Sequence, residues 1–289
     1  MRLAATVLCG SCGFDGDSAD RRRPGPVSPR VTRQRAVENR KFADEDRWVA
    51  FLKAAELSDV VRLSPPGFGA PPPRGWRATP EAYQLWLTEE LESLGTAVDL
   101  VGHDWGGAHA MNVVMTRPDL IRSWCVDSLG LFEPDYVWHG LARTWQTPGS
   151  GERAAAALTD PAVERRALYL TSIGVPDDIA GALAPGCGEV SGRCMLELYR
   201  SAREPKLAEL GRALPSAARR PGLAILATAD QGLGIDALRR RAAAGAGAIV
   251  EVLPGLGHWW MLEDPTRSGR RLQRFWSDVA RPSQPVTPK

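Results

Sequence analysis

Gly102-His103-Asp104-Trp105-Gly106-Gly107 sets a carboxylate two residues from a glycine on either side, directly after the apolar run Val98 to Val101 and ahead of the helical-looking segment Ala108 to Thr116. Small residues at those positions are what a sharp strand-to-helix turn requires, because anything larger clashes where the backbone doubles back. Such a turn presents its central side chain, and here that side chain is an acid. A serine in this place attacks acyl carbons, whereas a carboxylate attacking the same centre gives only a labile anhydride. Displacement at a strained or activated carbon instead leaves an alkyl-enzyme ester, so epoxides and alkyl halides are the natural electrophiles. An aspartate ahead of a helix also serves as an N-cap, but capping requires no flanking glycines.

The elements around this turn read as alternating strands and helices. Trp48, Phe51, Leu52 and Ala55 recur at helical spacing from Ala43 onward, behind Asp44, Glu45 and Asp46, whose charge suits a helix start. Val60 to Leu63 reads as a short strand ended by the turn-forming Pro65-Pro66-Gly67-Phe68-Gly69. Thr79 and Pro80 open a helix that carries Tyr83, Trp86, Leu87, Leu91 and Leu94 inward and stops at Gly95. Ile121 to Val126, Leu223 to Ala227 and Ala248 to Leu253 read as buried strands, and Pro265 starts a last helix with Leu272, Phe275 and Trp276 inward. This alternation predicts an α/β fold with a mostly parallel sheet flanked by helices, its reactive groups gathered at the carboxyl ends of the strands. Asp104, Asp127, Asp230 and His258 each follow such a strand.

Between Leu129 and about Arg220 the alternation gives way to helical sequence. The expected organisation is therefore a core of residues 43–128 and 221–280, a helical lid over 129–220 and a Pro-rich tail over 281–289. Residues 1–42 read as an atypical, flexible leader, with Arg21 to Arg23, Arg30, Arg33, Arg35 and Arg40 interleaved with Pro24, Pro26 and Pro29. No buried strand is expected there, so the early strands of the sheet look incomplete and an open edge would follow.

The hexapeptide resembles the nucleophile elbow of the α/β-hydrolase fold superfamily, in its epoxide hydrolase and haloalkane dehalogenase-like branch. Pro66-Gly67-Phe68-Gly69 is similar to a loop of that family, and Gly255-Leu256-Gly257-His258-Trp259-Trp260 to its catalytic histidine loop. The resemblance covers about residues 43 to 279 and implies an α/β-hydrolase fold with Asp104 as nucleophile. His258 then activates the water that hydrolyses the ester, and an acid orients His258. Two positions compete for that acid: Asp230, where the family most often carries it, and Asp127, where some dehalogenases do. The epoxide hydrolase-like histidine loop favours Asp230. The Trp105 backbone N–H would stabilise the oxyanion formed during ester hydrolysis, and its indole could hold a departing halide.

Ring-opening in that family uses two tyrosines of the lid. Tyr199 resembles the second; Leu141 stands where the first is expected, leaving Tyr136 or Tyr169 as substitutes. His103 reads as a structural part of the elbow, and His109 as a helix residue with no role assigned. The His-Gly loop that supplies a second oxyanion donor has no match in residues 1–42. The resemblance thus implies epoxide hydrolysis to a diol, with haloalkane dehalogenation as the alternative within the same chemistry. A non-catalytic, hydrolase-like binding protein is the alternative from another class.

Composition narrows the partners. Net charge is +2, from 36 basic and 34 acidic residues, which gives no electrostatic case for nucleic acid or a membrane surface. A small apolar organic substrate and water fit better, with no cofactor or metal. No apolar run approaches the roughly 18 residues that span a bilayer, and Leu3 to Cys9 is too short for a secretory signal, so the expected location is cytoplasmic. The five cysteines, Cys9, Cys12, Cys125, Cys187 and Cys194, are an odd number in a chain large enough not to need disulfides. Cys9 and Cys12 have the spacing of half a metal site without a second pair to complete it.

Overall fold

The computed structural model describes residues 3–9 and 45–280. Six strands form one sheet with every pairing parallel: β1 (Leu3–Cys9), β2 (Asp59–Leu63), β3 (Val98–Asp104), β4 (Ile121–Val126), β5 (Gly222–Ala227) and β6 (Ile249–Leu253). Their spatial order is β2-β1-β3-β4-β5-β6. The chain moves outward in one direction from β1 to β2 and in the other from β3 to β6. The crevice between β1 and β3 is therefore the topological switch point, where parallel sheets bind ligands. Cys9 of β1 stands in register with Asp104 of β3.

β1 corrects the expectation that the first forty residues hold no buried strand. Ala4, Ala5, Thr6 and Val7 are buried, and the strand pairs with β2 on one side and β3 on the other. A strand covered on both faces has no reason to alternate polar and apolar residues. The Arg- and Pro-rich stretch, Cys12 and the Pro-rich tail lie outside the described residues.

Helices α1 (Glu45–Ala54), α2 (Pro80–Ser93) and α3 (Trp105–Thr116) belong to the first half of the sheet, and α10 (Asp236–Gly245), α11 (Trp260–Glu263) and α12 (Pro265–Ala280) to the second. α2 starts as its sequence dictates: the Thr79 hydroxyl accepts the Ala82 N–H at 3.3 Å and Gly95 follows the helix at φ +67°. Its inward face is narrower than expected, because Tyr83, Leu87 and Leu91 are buried while Trp86 and Leu94 are only partly covered. α12 buries Leu272, Phe275 and Trp276 as its spacing predicts. β6 is an edge strand with Ile249 61% exposed, not a buried one.

Large aromatic side chains lock the sheet to its helices. Trp124 of β4 is fully buried and donates its indole N–H to Ala217 O at 3.3 Å. A Cβ at Gly222 would stand 2.1 Å from the Trp124 ring, so β5 can pass this side chain only as glycine. Burying about 200 Å² of aromatic surface is worth about 5 kcal/mol at about 25 cal/mol per Å².

Between β4 and β5 the chain forms α4 (Gly140–Gln146), α5 (Ser150–Leu158), α6 (Val163–Ser172), α7 (Asp177–Leu183), α8 (Glu189–Ser201) and α9 (Lys206–Gly211). Tyr199 of α8 and Trp138, just ahead of α4, pack on Trp105 at the start of α3. The insertion thus reaches the carboxyl ends of the strands. No helix among the described residues is long and apolar enough to cross a membrane.

Candidate active site

β3 runs into α3 without a loop, and Asp104 takes the whole bend. Its backbone sits at φ +53° and ψ −128°, a conformation that costs a non-glycine residue about 1–3 kcal/mol. The turn closes because Gly102 and Gly107 touch: a Cβ on Gly102 would stand 2.6 Å from Gly107 Cα and 2.7 Å from Gly106 O. A Cβ on Gly107 would meet Ser128 Oγ at 2.4 Å. Gly102→Ala is accordingly expected to destabilise the chain by about 3 kcal/mol, seen as a lower urea midpoint at unchanged slope. A silent substitution would show that the turn can open.

The Asp104 side chain makes no capping hydrogen bond to α3. Burial raises its carboxyl above the ordinary carboxylate range, and the charges of His258 and His103 and the Trp105 N–H offset part of that rise. An acceptor held out of water and left unneutralised by a hydrogen-bonded cation is a reactive one.

The two candidate acids have different partners. His258 donates from Nδ1 to Asp230 Oδ2 at 3.0 Å, and the Gly232 N–H donates to Asp230 Oδ1 at 2.8 Å. Asp127 is part of another cluster: its Oδ2 accepts from His103 Nδ1 at 2.6 Å and from the Trp260 indole at 2.8 Å, and its Oδ1 from the Asp104 N–H at 3.0 Å. Asp127 therefore braces the turn from below, and Asp230 is the carboxylate on His258. The His103 and His258 rings lie 4.6 Å apart by centroid, which brings the two clusters together beside Asp104.

The charges follow from these contacts. Burial opposes ionisation of Asp127, but the His103 charge, the His103 hydrogen bond and the Trp260 indole hold its carboxyl at about 2. Burial likewise opposes ionisation of Asp230, and the bond from His258 outweighs it, so that carboxyl is lowered. Burial pulls the His258 imidazole down, yet the Asp230 hydrogen bond and the charges of Asp104, Asp230 and Asp127 push it up to about 9. His109, in α3, stacks on Tyr83 at 4.3 Å, and burial draws its imidazole down to about 3.

A model of the alpha/beta hydrolase family matches residues 13–268. The chain belongs to that family. No curated protein sequence matches it. Among solved structures, a haloalkane dehalogenase from Bradyrhizobium elkani is 20% identical at a TM-score of 0.62, over 96% of this chain and 91% of that one. An E-2-(acetamidomethylene)succinate hydrolase is 14% identical at 0.65, over 96% and 91%. A meta-cleavage product hydrolase from Pseudomonas fluorescens is 16% identical at 0.62, again over 96% and 91%. At such identities the likeness is one of fold.

Around the elbow of this hydrolase the insertion supplies a cluster of rings. Tyr199 meets Trp105 edge-on at 5.2 Å and lies 4.8 Å from Trp145 and 5.8 Å from Trp138. Tyr136, a substitute considered for the missing tyrosine, donates its hydroxyl to Gly232 O at 2.7 Å, which commits it to the loop of Asp230. Tyr169 is partly covered and packs against the hydrophobic core. Three residues beside the site had no functional signal in the sequence: His139, Trp138 and Trp145. The indole N–H groups of Trp138 and Trp145 are buried without a hydrogen-bond partner. Among the described residues, no group of three or more His, Cys, Asp or Glu side chains is placed to share a metal ion.

Proposed function

We propose that this hydrolase acts through Asp104 as nucleophile and a covalent alkyl-enzyme ester, converting a small apolar epoxide to a diol in the cytoplasm with water as the only co-substrate. The observation that carries this reading is a buried, uncapped carboxylate on a strained turn, coupled in charge to a histidine that already holds its own acid. An Asp104 oxygen attacks an epoxide carbon, the C–O bond opens, and the Tyr199 hydroxyl gives its proton to the oxygen that leaves. His258, oriented by Asp230, then takes a proton from water, whose oxygen attacks the ester carbonyl. The Trp105 N–H steadies the oxyanion; on its collapse the acyl C–O bond breaks, the departing diol oxygen takes the proton from His258, and Asp104 keeps the water oxygen and returns its carboxyl proton to Tyr199.

The charge pattern supports this division of labour. While Asp104 is ionised it holds His258 protonated; the ester removes that charge and frees the imidazole to act as base. In pre-formed ester, the breakdown rate is expected to rise with pH and level off below the value of about 9 that His258 has beside ionised Asp104. Rapid-quench measurement of ester decay from pH 5 to 10 tests this; levelling only above that value would remove Asp104 from the charge balance.

The decisive experiment is intact-mass spectrometry of His258→Gln after incubation with styrene oxide. An adduct equal to the whole epoxide, mapped to Asp104, is expected. A non-catalytic binding protein gives no adduct.

Haloalkane dehalogenation is the second reading. Two buried, unpartnered indole N–H groups beside Tyr199 and Trp105 suit a departing halide, and the solved structures similar in fold include haloalkane dehalogenases. Halide release from 1-bromobutane, set against diol formation from styrene oxide, separates the two.

A further inference from the structure

Asp230 sits on a loop that has to be held. The chain leaves β5 at Ala227 and reaches α10 through Gly232 and Gly234, two residues with little backbone preference of their own, behind an exposed Gln231. The buried guanidinium of Arg239 ties this loop to the core, donating from Nη1 to Ala227 O at 2.9 Å and to Asp230 O at 3.5 Å. Those bonds hold main chain and leave the carboxyl group free to turn. What fixes it is the Gly232 N–H, which donates to Oδ1 at 2.8 Å while Oδ2 takes the His258 Nδ1–H at 3.0 Å. The plane of the carboxylate therefore follows the place of Gly232.

Gly232 is pinned from the insertion. The Tyr136 hydroxyl donates to Gly232 O at 2.7 Å, and a Cβ on Gly234 would stand 3.4 Å from Cδ2 of the same ring. On its other side the ring meets Trp138 edge-on at 5.2 Å, and Trp138 stacks on Trp105 at 6.1 Å. Tyr136 is buried, and burial together with the charges of Asp104 and Asp230 pushes its hydroxyl up, so it remains a donor at every working pH. We propose that Tyr136 is a positioning residue for the hydrolytic step, holding Asp230 through Gly232 in the orientation in which His258 takes a proton from the water that attacks the ester. This rests on the reading of Asp104 as nucleophile and His258 as base. Because the tie runs from the insertion to a loop of the core, the base is set only while the entry to the insertion is docked on that loop. Ester formation uses Asp104 and not His258, so a loosened Asp230 slows the second half of the reaction alone.

Tyr136→Phe removes the hydroxyl and keeps the ring. In single turnovers of styrene oxide followed by rapid quench and intact mass, the ester is expected to form at the wild-type rate and to break down about 10- to 100-fold more slowly. Glu133→Gln is the structural control. Glu133 accepts from Arg241 Nε at 2.8 Å and so ties the same segment to α10, yet it makes no bond to the loop of Asp230, and its loss is expected to leave both steps unchanged. Slower ester formation in Tyr136→Phe would make the hydroxyl a ring-opening donor and overturn the proposal, as would unslowed breakdown or an equal effect of Glu133→Gln. If His258→Gln forms no adduct with styrene oxide, the nucleophile reading itself fails and this inference falls with it.

Discussion

Asp104→Asn is expected to lower turnover of styrene oxide by about 10⁴-fold or more and, unusually for a buried polar position, to leave the chain at least as stable as before. The first half follows from chemistry: an amide cannot form the ester that every later step needs. The second follows from the cost of the wild-type residue. Its carboxyl is raised by burial and its backbone sits at φ +53°. Asparagine removes the desolvated charge and tolerates positive φ better than most residues. Asp104→Gly goes further and relaxes the bend, with an expected gain of about 1–3 kcal/mol. Thermal melts and turnover of both variants check the pair of effects. Full activity in Asp104→Asn would end the covalent mechanism, and a large loss of stability would show that Asp104 serves the fold.

Asp127→Asn and Asp230→Asn are expected to fail in opposite ways. Asp127 accepts three hydrogen bonds, from His103, Trp260 and the Asp104 N–H. An amide at 127 offers one oxygen and turns an NH₂ toward a donor, leaving buried groups unpaired at an expected cost of about 3–5 kcal/mol. Asp230→Asn is expected to keep the fold and lose about 10⁴-fold in turnover, because His258 is no longer held in its working tautomer and the ester accumulates. The pH dependence supplies an independent sign. The Asp127 carboxyl lies at about 2 when folded, below an unfolded value of about 4. Its contribution, about 3 kcal/mol, is therefore present above pH 4 and lost as pH falls toward 2. Urea titrations from pH 5 to 2 should show this loss in the wild type and not in Asp127→Asn. Intact stability together with lost turnover in Asp127→Asn would reverse the two assignments.

Much of the site was readable in the residues themselves. Gly102, Asp104 and the Gly106-Gly107 pair announce the turn, which closes where Gly102 meets Gly107, and Gly257-His258-Trp259 follows a strand as a reactive loop must. The choice between Asp127 and Asp230 was readable only in part, through a histidine loop whose form favoured Asp230. Both follow strands, and what separates them is the loop path that brings one to His258 and the other to His103. His139 gave no signal because caps are ordinarily Ser, Thr, Asp or Asn, and a histidine acting as one shows only in three dimensions. β1 was missed because seven residues, apolar but for Thr6, with no alternation and no helical period fit several structures, and the Arg- and Pro-rich sequence after them drew the whole segment into one reading. Trp86 and Leu94 erred the other way: the apolar stripe of α2 is wider than the surface it covers.

The place of β1 between β2 and β3 changes what trimming would do to this protein. Starting the chain at residue 43 looks like the removal of an ornament, yet it would withdraw the slat on which β2 hangs. β2 would be stranded, β3 would expose a full row of amide and carbonyl groups, and the bend at Asp104 would lose the neighbour in register with it. A shortened form would be expected to self-associate through that raw margin, so any tag or fusion is better carried at the far terminus.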